Sequence, residues 1–275
     1  MEARLDQPTA TVADRESGQP GQEVAATRTT MWWRLASIAL FCGAWEIAGR
    51  IPINLAFPTF SASLAAFWEM LLDGSLLKAY LLTLQPLVIG VLASAIIGVS
   101  VGIAMGLRKS IEWVGAPIFI VLQAAPVAAL IPMITFIYGI GLTAKALAVC
   151  MLALPVIVLN SYKAVSNVNP SLVAMCRSFL GSRPQQIWKI IIPDASPVIF
   201  AGLRLGISAG FIGIILAELL ITPTGIGDLI TYHRAVANYA HMYAVIASII
   251  AFSAATLAAL QHIEMTLFRP EKRGE

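Results

Sequence analysis

Charge is scarce in this chain. Asp, Glu, Lys and Arg make up 12% of its 275 residues, where a soluble domain carries about 25%. So little charge cannot cover a water-facing surface, which excludes an ordinary soluble globule and points to lipid as the surrounding solvent. The net charge of +3, with basic residues gathered on no single face or tail, argues against nucleic acid as a partner. Cysteine is scarce too. Cys42, Cys150 and Cys176 are odd in number and far apart, which excludes a disulfide framework and a metal spacing, and all three read as structural. His233, His241 and His262 show no metal spacing either. Large apolar side chains are almost missing from residues 1–30, whose composition predicts a disordered tail and not a cleaved signal peptide. Period-two alternation, the mark of strands, is absent.

What the chain does have is long apolar runs. Six of them, Trp32–Arg50, Tyr80–Leu107, Trp113–Tyr138, Ala144–Tyr162, Pro197–Ile221 and His241–Phe268, approach or exceed the roughly 20 residues that cross a bilayer core. In lipid such runs must be helices, because nothing else satisfies their backbone groups. The fold class is therefore an all-α integral membrane protein of about six transmembrane helices, with the six-span domain over residues 31–268 and a short tail over 269–275. Pro117, Pro126 and Pro132 interrupt the third run and predict a kinked or broken helix there. With both termini in the cytoplasm, the outer side holds only Arg50, Lys78, Lys145 and Arg234. Arg204 lies within the fifth span, and every other Lys and Arg falls inside. That asymmetry sets the orientation. Phe60–Leu72 reads either as an interfacial helix or as a loop packed on the bundle.

Small residues recur every fourth position in two spans. Gly98, Gly102 and Gly106 share one face of the second, and Gly202, Gly206 and Gly210 one face of the fifth, a spacing that lets helix backbones approach closely. Gly98-Val-Ser100-Val-Gly102 fits the G-x-S-x-G pattern of hydrolases, but that pattern needs a strand before the serine, and here it lies in mid-span. Gly102 to Ser110 has the wrong spacing for a phosphate loop, and nothing else in the chain matches a nucleotide site. Among the carboxylates inside spans Glu46 and Glu218 are worth weighing, because a charge there must face a cavity or a partner. Arg204 is about 21 Å from Glu218 along one straight helix and cannot reach it. Thr231-Tyr232-His233-Arg234 with Asp228 is the nearest thing to a catalytic cluster, and nothing marks it beyond a polar loop.

Between the fourth and fifth spans lies a polar cytoplasmic loop over residues 163–193. Its central stretch, Asn167 to Pro193, reads NVNPSLVAMCRSFLGSRPQQIWKIIIP. Pro170 can open a helix, and Leu172, Met175, Cys176, Phe179 and Leu180 form an apolar stripe. An amphipathic helix over Leu172–Gln186, joined to a span at each end, suits either a soluble partner or the lipid surface.

This stretch resembles the cytoplasmic EAA loop of bacterial ABC-importer permeases, whose pattern is E-A-A, three residues, G, nine residues, I-x-L-P. With Pro193 as anchor, Ile190 and Ile192 take the isoleucine and leucine positions, and Arg177-Ser178, Ser182, Arg183 and Gln185 fall on matching positions. Ala174, Met175 and Cys176 stand where E-A-A is expected, Leu180 stands at the glycine, and Gly181 is one position late. Nearly all of residues 35–270 is similar to the nitrate/sulfonate/taurine branch. Ala56-Phe57-Pro58, the run from Ala125 to Gly141, Gly202-Leu203-Arg204, Ala217-Glu218-Leu219 and Gly225-Ile226-Gly227 all have counterparts there. The resemblance implies a permease subunit in the bacterial cytoplasmic membrane that moves a small, anionic solute inward by alternating access. It implies two permeases, expected as a homodimer, two cytoplasmic ATPases that hold ATP and Mg, and an extracytoplasmic solute-binding protein. This chain would bind no cofactor or metal. Leu172, Ala174, Met175, Cys176, Arg177, Ser178, Phe179, Gly181, Ser182, Arg183 and Gln185 would form the ATPase-coupling helix. By the same analogy the third and fifth spans line the pathway, with Gln123, Met133, Tyr138 and Glu218 as candidates. The competing classes are an ion-driven secondary transporter or channel, which would use paired charges at mid-membrane, and a lipid-modifying enzyme.

Overall fold

The structure, a computed structural model, describes residues 20–51, 56–221 and 223–268, without the side chains of 20–31, Arg34, Leu35, Leu267 and Phe268. Among the described residues every regular element is helical. The chain divides into two compact units, Met1–Ser61 and Ala62–Glu275.

The first unit is built on α1 (Pro20–Arg50). The tail expected to be disordered over 1–30 overlaps this helix from residue 20, and residues 1–19 lie outside the described residues. After α1 the chain returns to pack on it. The Trp45 indole donates to the Pro58 carbonyl at 3.1 Å and meets the Phe57 and Phe60 rings. Glu46 pairs with Arg50 at 2.9 Å and accepts the Ser61 N–H at 2.9 Å. That N–H belongs to the first turn of α2 (Phe60–Leu72), where helix amides lack intrahelical partners. Glu46 is thus spent on a helix start.

In the second unit α2 is a true helix, and it packs through Ser63, Ala66 and Met70. It is followed by α3 (Ser75–Leu107), α4 (Lys109–Ala124), α5 (Val127–Tyr138), α6 (Leu142–Ser166), α7 (Pro170–Ser178) and α8 (Arg183–Gln186). A π-helical turn over Ile187–Ile191 leads into α9 (Ile192–Leu220), α10 (Ile226–Ala235) and α11 (Tyr239–Phe268). α6 is the axis, with α3 on one side and α9 on the other. The glycines explain this. A Cβ at Gly98 would lie 2.8 Å from Ile157, one at Gly102 2.5 Å from Ser161 and 2.6 Å from the Val158 carbonyl, and one at Gly106 2.6 Å from Val165. From α9, Gly202 faces Asn160, Gly206 faces the other side of Ile157, and Gly210 faces Val91 and Val149. Ile157 therefore fills the gap between two glycine faces, a close approach that dispersion and shape fit stabilise where lipid removes the usual hydrophobic drive. Arg204 pairs with Glu264 of α11 at 3.2 Å.

Among the described residues four helices are long and apolar enough to span a membrane, and a fifth span exists if α4 and α5 are taken as one broken crossing with a 97° bend. The sequence leads one to expect six spans, and the first falls on α1, whose side chains are only partly described. The break in the third run comes at Ala125–Pro126, where Pro126 removes an N–H and presets an extended neighbour. The exterior stays apolar. Leu81, Leu92, Ile96 and Ile97 of α3 and Ile212 of α9 are all exposed, apolar surface that only lipid or another apolar partner covers without cost.

Candidate functional site

Two features stand at opposite ends of α6. At its C-terminal end is the polar corner between α6 and α9. Pro170 opens α7 in the position where a missing N–H costs nothing, and the Asn169 side chain accepts the Ser171 N–H at 3.0 Å. The helix then stops early. Leu180 is left-handed, with φ 56°. The Gly181 N–H reaches the Cys176 carbonyl and the Leu180 N–H the Arg177 carbonyl, both at 2.9 Å. This is the Schellman closure, which normally puts glycine at the left-handed position. A leucine there carries roughly 1–2 kcal/mol of steric cost. Ser182 and Gln185 next form a capping box, the Ser182 N–H donating to Gln185 Oε1 at 2.8 Å, and start α8. From Arg183 the helix runs without interruption to Leu220.

The single helix expected over Leu172–Gln186 is therefore two helices with a tight corner at Phe179–Ser182. The periodic stripe misses this because it carries no information about a left-handed residue. Leu172 and Cys176 are half-buried, whereas Ala174, Met175, Arg177, Ser178, Ser182, Arg183 and Gln185 are exposed or partly exposed. Phe179 and Leu180 project furthest, 82% and 93% exposed. Gly181 lies so close to Cys176 Sγ that a side chain there would clash.

At the other end of α6 lies a buried ionic cluster. Lys145, expected at the outer end of the fourth span, sits in the first turn of α6 and is only 4% exposed, and Glu218, near the end of α9, is 1% exposed. Lys145 Nζ donates to Glu218 Oε1 at 2.8 Å, to the Thr224 carbonyl at 2.8 Å and to Thr224 Oγ1 at 3.1 Å. Glu218 also accepts from Thr83 Oγ1 of α3 at 2.9 Å and from the Gly227 N–H at 3.0 Å. The Ile226 N–H in turn donates to Thr83 Oγ1 at 2.9 Å. Both of these N–H groups belong to the first turn of α10. Gly225 precedes them and has no side chain to cap them, so α9 and α3 supply the caps. Gly225, with φ 100°, presses on the Glu218 carboxylate, and a Cβ on Gly227 would meet Glu218 Cβ. The Glu218 and Gly225-Ile226-Gly227 segments thus belong to one packing unit. A lone lysine opening one apolar run and a lone glutamate closing another could have suggested the pair; Thr83 and Thr224 left no signal.

The other expected pathway residues lie elsewhere. Gln123 is exposed in the last turn of α4, and Met133 and Tyr138 are exposed on α5. Tyr138 lines an open apolar cavity of about 350 Å³ with Leu122, Ile134, Cys150, Met151 and Pro155. Near the ionic cluster's end of the bundle, the His233 and His241 rings stack with centroids 5.0 Å apart, and His241 Nε2 is 3.4 Å from Glu69. Burial, then the neighbouring His241, pushes the His233 pKa down, against a smaller pull from Asp73. Hydrogen bonds from Ser75 hold the Asp73 carboxyl below its usual range. Among the described residues no group of three or more His, Cys, Asp or Glu is placed to hold a metal.

An apolar bundle of helices long enough to span a bilayer, with a polar corner at one end, is the architecture of a multi-pass membrane protein. Residues 90–269 match the family described as the binding-protein-dependent transport system inner membrane component, and the chain belongs to this family, in the nitrate/sulfonate/taurine branch of ABC-importer permeases. It is 25% identical over 210 residues to the taurine transport system permease protein TauC of Escherichia coli (strain K12), covering 74% of this chain and 72% of that one. It is 27% identical over 217 residues to the putative aliphatic sulfonates transport permease protein SsuC of Bacillus subtilis (strain 168), covering 78% of each. Against the nitrate import permease protein NrtB of Synechococcus elongatus (strain ATCC 33912 / PCC 7942 / FACHB-805) it is 28% identical, covering 70% and 73%. A chain of the MetNI methionine ABC transporter in inward-facing conformations shares the fold, with a TM-score of 0.61 at 18% identity over 70% of this chain and 96% of that one. The chain is thus a multi-pass inner-membrane permease subunit, of a family in which ATPase activity belongs to other subunits.

Proposed function

We propose that this permease carries a small oxyanion of the sulfonate or nitrate class inward by alternating access. The supporting observation is that relatives matched over about three quarters of their length are named for taurine, aliphatic sulfonates and nitrate. No stripe of basic residues lies on the exposed faces of α4 and α5, so the anion would be selected by helix dipoles and by an extracytoplasmic solute-binding protein. Two copies of the chain would pair across an exposed apolar face. Gln123, Met133 and Tyr138 would line the path. Both termini would be cytoplasmic, as the Lys and Arg distribution favours.

Two cytoplasmic ATPases, holding ATP and Mg, would drive the cycle through the corner formed by α7 and α8. Support for this comes from Met175, Phe179 and Leu180, apolar side chains held out from a polar loop by a closed Schellman turn, with Arg177 and Arg183 beside them. A short stiff helix joined without a break to a spanning helix can transmit a rigid-body movement, whereas a loose loop would absorb it. Phe179→Asp puts a charge into the ATPase groove without touching the bundle. Uptake of taurine, an alkanesulfonate and nitrate would be measured with wild type and variant at equal membrane levels. At least a tenfold loss of the ATP-dependent uptake of whichever anion wild type carries is expected. Unchanged uptake by the variant would sink the coupling assignment, and no uptake of any of the three by wild type would sink the anion class.

A further inference from the structure

In the cluster Lys145, Glu218 and Thr83 are buried, and Thr224 closes it from an exposed turn. All three Lys145 protons are used, on Glu218 Oε1, the Thr224 carbonyl and Thr224 Oγ1. Both Glu218 oxygens are met, by Lys145, Thr83 and the Gly227 N–H. Thr83 donates to Glu218 and accepts from Ile226. Gly225 and Gly227 close the space around the carboxylate so tightly that a methyl group would not fit. On the Glu218 side every polar atom of the buried pair already has a protein partner. This is unlike a pathway carboxylate, which must exchange partners as its cargo passes.

The cluster also joins four elements at one point. Lys145 comes from α6, Glu218 from α9, Thr83 from α3, and the capped amides from α10. Further along, α3, α6 and α9 interlock through glycine faces. By contrast α4 has no buried residue and α5 only Val127 and Ile131. The joints of that pair are open, with Gly139 and Gly141 at positive φ and nothing within 4 Å of a Cβ at either.

We propose that Lys145, Glu218 and Thr83 form a permanent post that stays closed and dry throughout transport. α3, α6, α9 and α10 then move as one body, and Lys145 and Glu218 are positioning residues for the transport cycle. Pulling on the α7–α8 corner reaches the far end of the bundle, roughly 35 Å along α6, because the post prevents α9 from slipping past α6. The inference rests on the permease reading above and concerns which parts of the permease move.

The test uses Ile226→Cys in a background of Cys42→Ala, Cys150→Ser and Cys176→Ala. Ile226 is 2% exposed and contributes only its backbone N–H to the post. Val236→Cys, exposed near the C-terminus of α10, is the control. Membranes of the native host, permeabilised to both faces, are treated with a fluorescent maleimide, nucleotide-free and after trapping with ATP and vanadate. A permanent post keeps labelling of the thiol introduced at position 226 below a tenth of the control in both conditions. Labelling that approaches the control in either condition overturns the proposal. Lys145→Met should raise labelling at position 226 at least tenfold, and Lys145→Met with Glu218→Gln, which removes both charges and keeps an acceptor for Gly227, should bring it back down. An unchanged rate in folded Lys145→Met also overturns it, and if that variant does not fold, the trapping comparison decides alone. In purified complexes in nanodiscs, Lys145→Met should raise basal ATP hydrolysis per complex at least threefold, with the double variant within twofold of wild type. A purely structural role would lower the yield of complex and leave the rate per complex unchanged. Failure of the wild-type chain to bring down any ATPase would instead count against the partner reading, and the labelling results would still decide the post.

Discussion

Glu46 and Glu218 each lie near the end of a long apolar helix, and each accepts hydrogen bonds from the first turn of the helix that follows. A carboxylate is costly in an apolar setting, yet the amides at a helix start are short of partners and carry the positive end of the helix dipole. One residue answers both needs. Breaking such a buried pair as Lys145 and Glu218 by removing one partner typically costs about 3–5 kcal/mol, because the remaining charge is stranded. The glycines are specific in the same way. Gly102 lies against the Val158 carbonyl, which cannot rotate aside, whereas Gly43 has nothing within 4 Å of a Cβ. Gly102→Ala should therefore cost about 1–3 kcal/mol by overpacking, read as a lower melting temperature in detergent, while Gly43→Ala should be neutral or slightly stabilising. Equal effects at the two positions would contradict the close packing of α3 on α6.

Elements are legible in the sequence to different degrees. The long spans can be read from their apolar runs, and the interruption of the third from its prolines, because helix period and missing N–H groups are local properties. Where the helix α7 ends is not legible. Its boundary is a left-handed Leu180, and the family resemblance marks that position as a missing glycine without saying why glycine belongs there; the Schellman closure supplies the reason. Lys145 reads as a residue at the outer end of a span, where a charge ordinarily faces water, and only the partner on α9 explains its burial. The corner of α10 and α11 should be acid-sensitive. Its His233 is held neutral by burial and by His241, with Glu69 beside His241 and Asp73 facing both rings. Below its ordinary value near 6.5 the unfolded chain takes up the proton before the folded one, so stability present above that pH falls as the medium is acidified. Protection of the α10 amides, taken relative to their intrinsic exchange rate at each pH, should fall as the pH drops below about 6.5, and this pH dependence should weaken in His233→Gln. A variant with the same pH dependence as wild type would exclude His233 as its source.

For the molecule as a whole, lipid is part of the structure. Ile96 lies exposed near the middle of α3, and an arginine at the centre of a spanning helix costs about 2.5–3.5 kcal/mol on insertion. Ile96→Arg should reduce the membrane-integrated yield several-fold, measured by carbonate extraction, while Trp113→Arg, beside the polar end of α4, should change it little. Equal yields would mean that Ile96 is covered by protein. The membrane class, the rough positions of the spans and the family were all present in the sequence, because apolar run length, charge asymmetry and motif spacing are properties of a single line of residues. Which helix forms the axis, where the segment between α6 and α9 turns, and that Lys145, Thr83 and Glu218 meet were decided by tertiary structure. Those contacts join residues as far as 135 positions apart, and their energies exist only once helices have docked and water has been excluded.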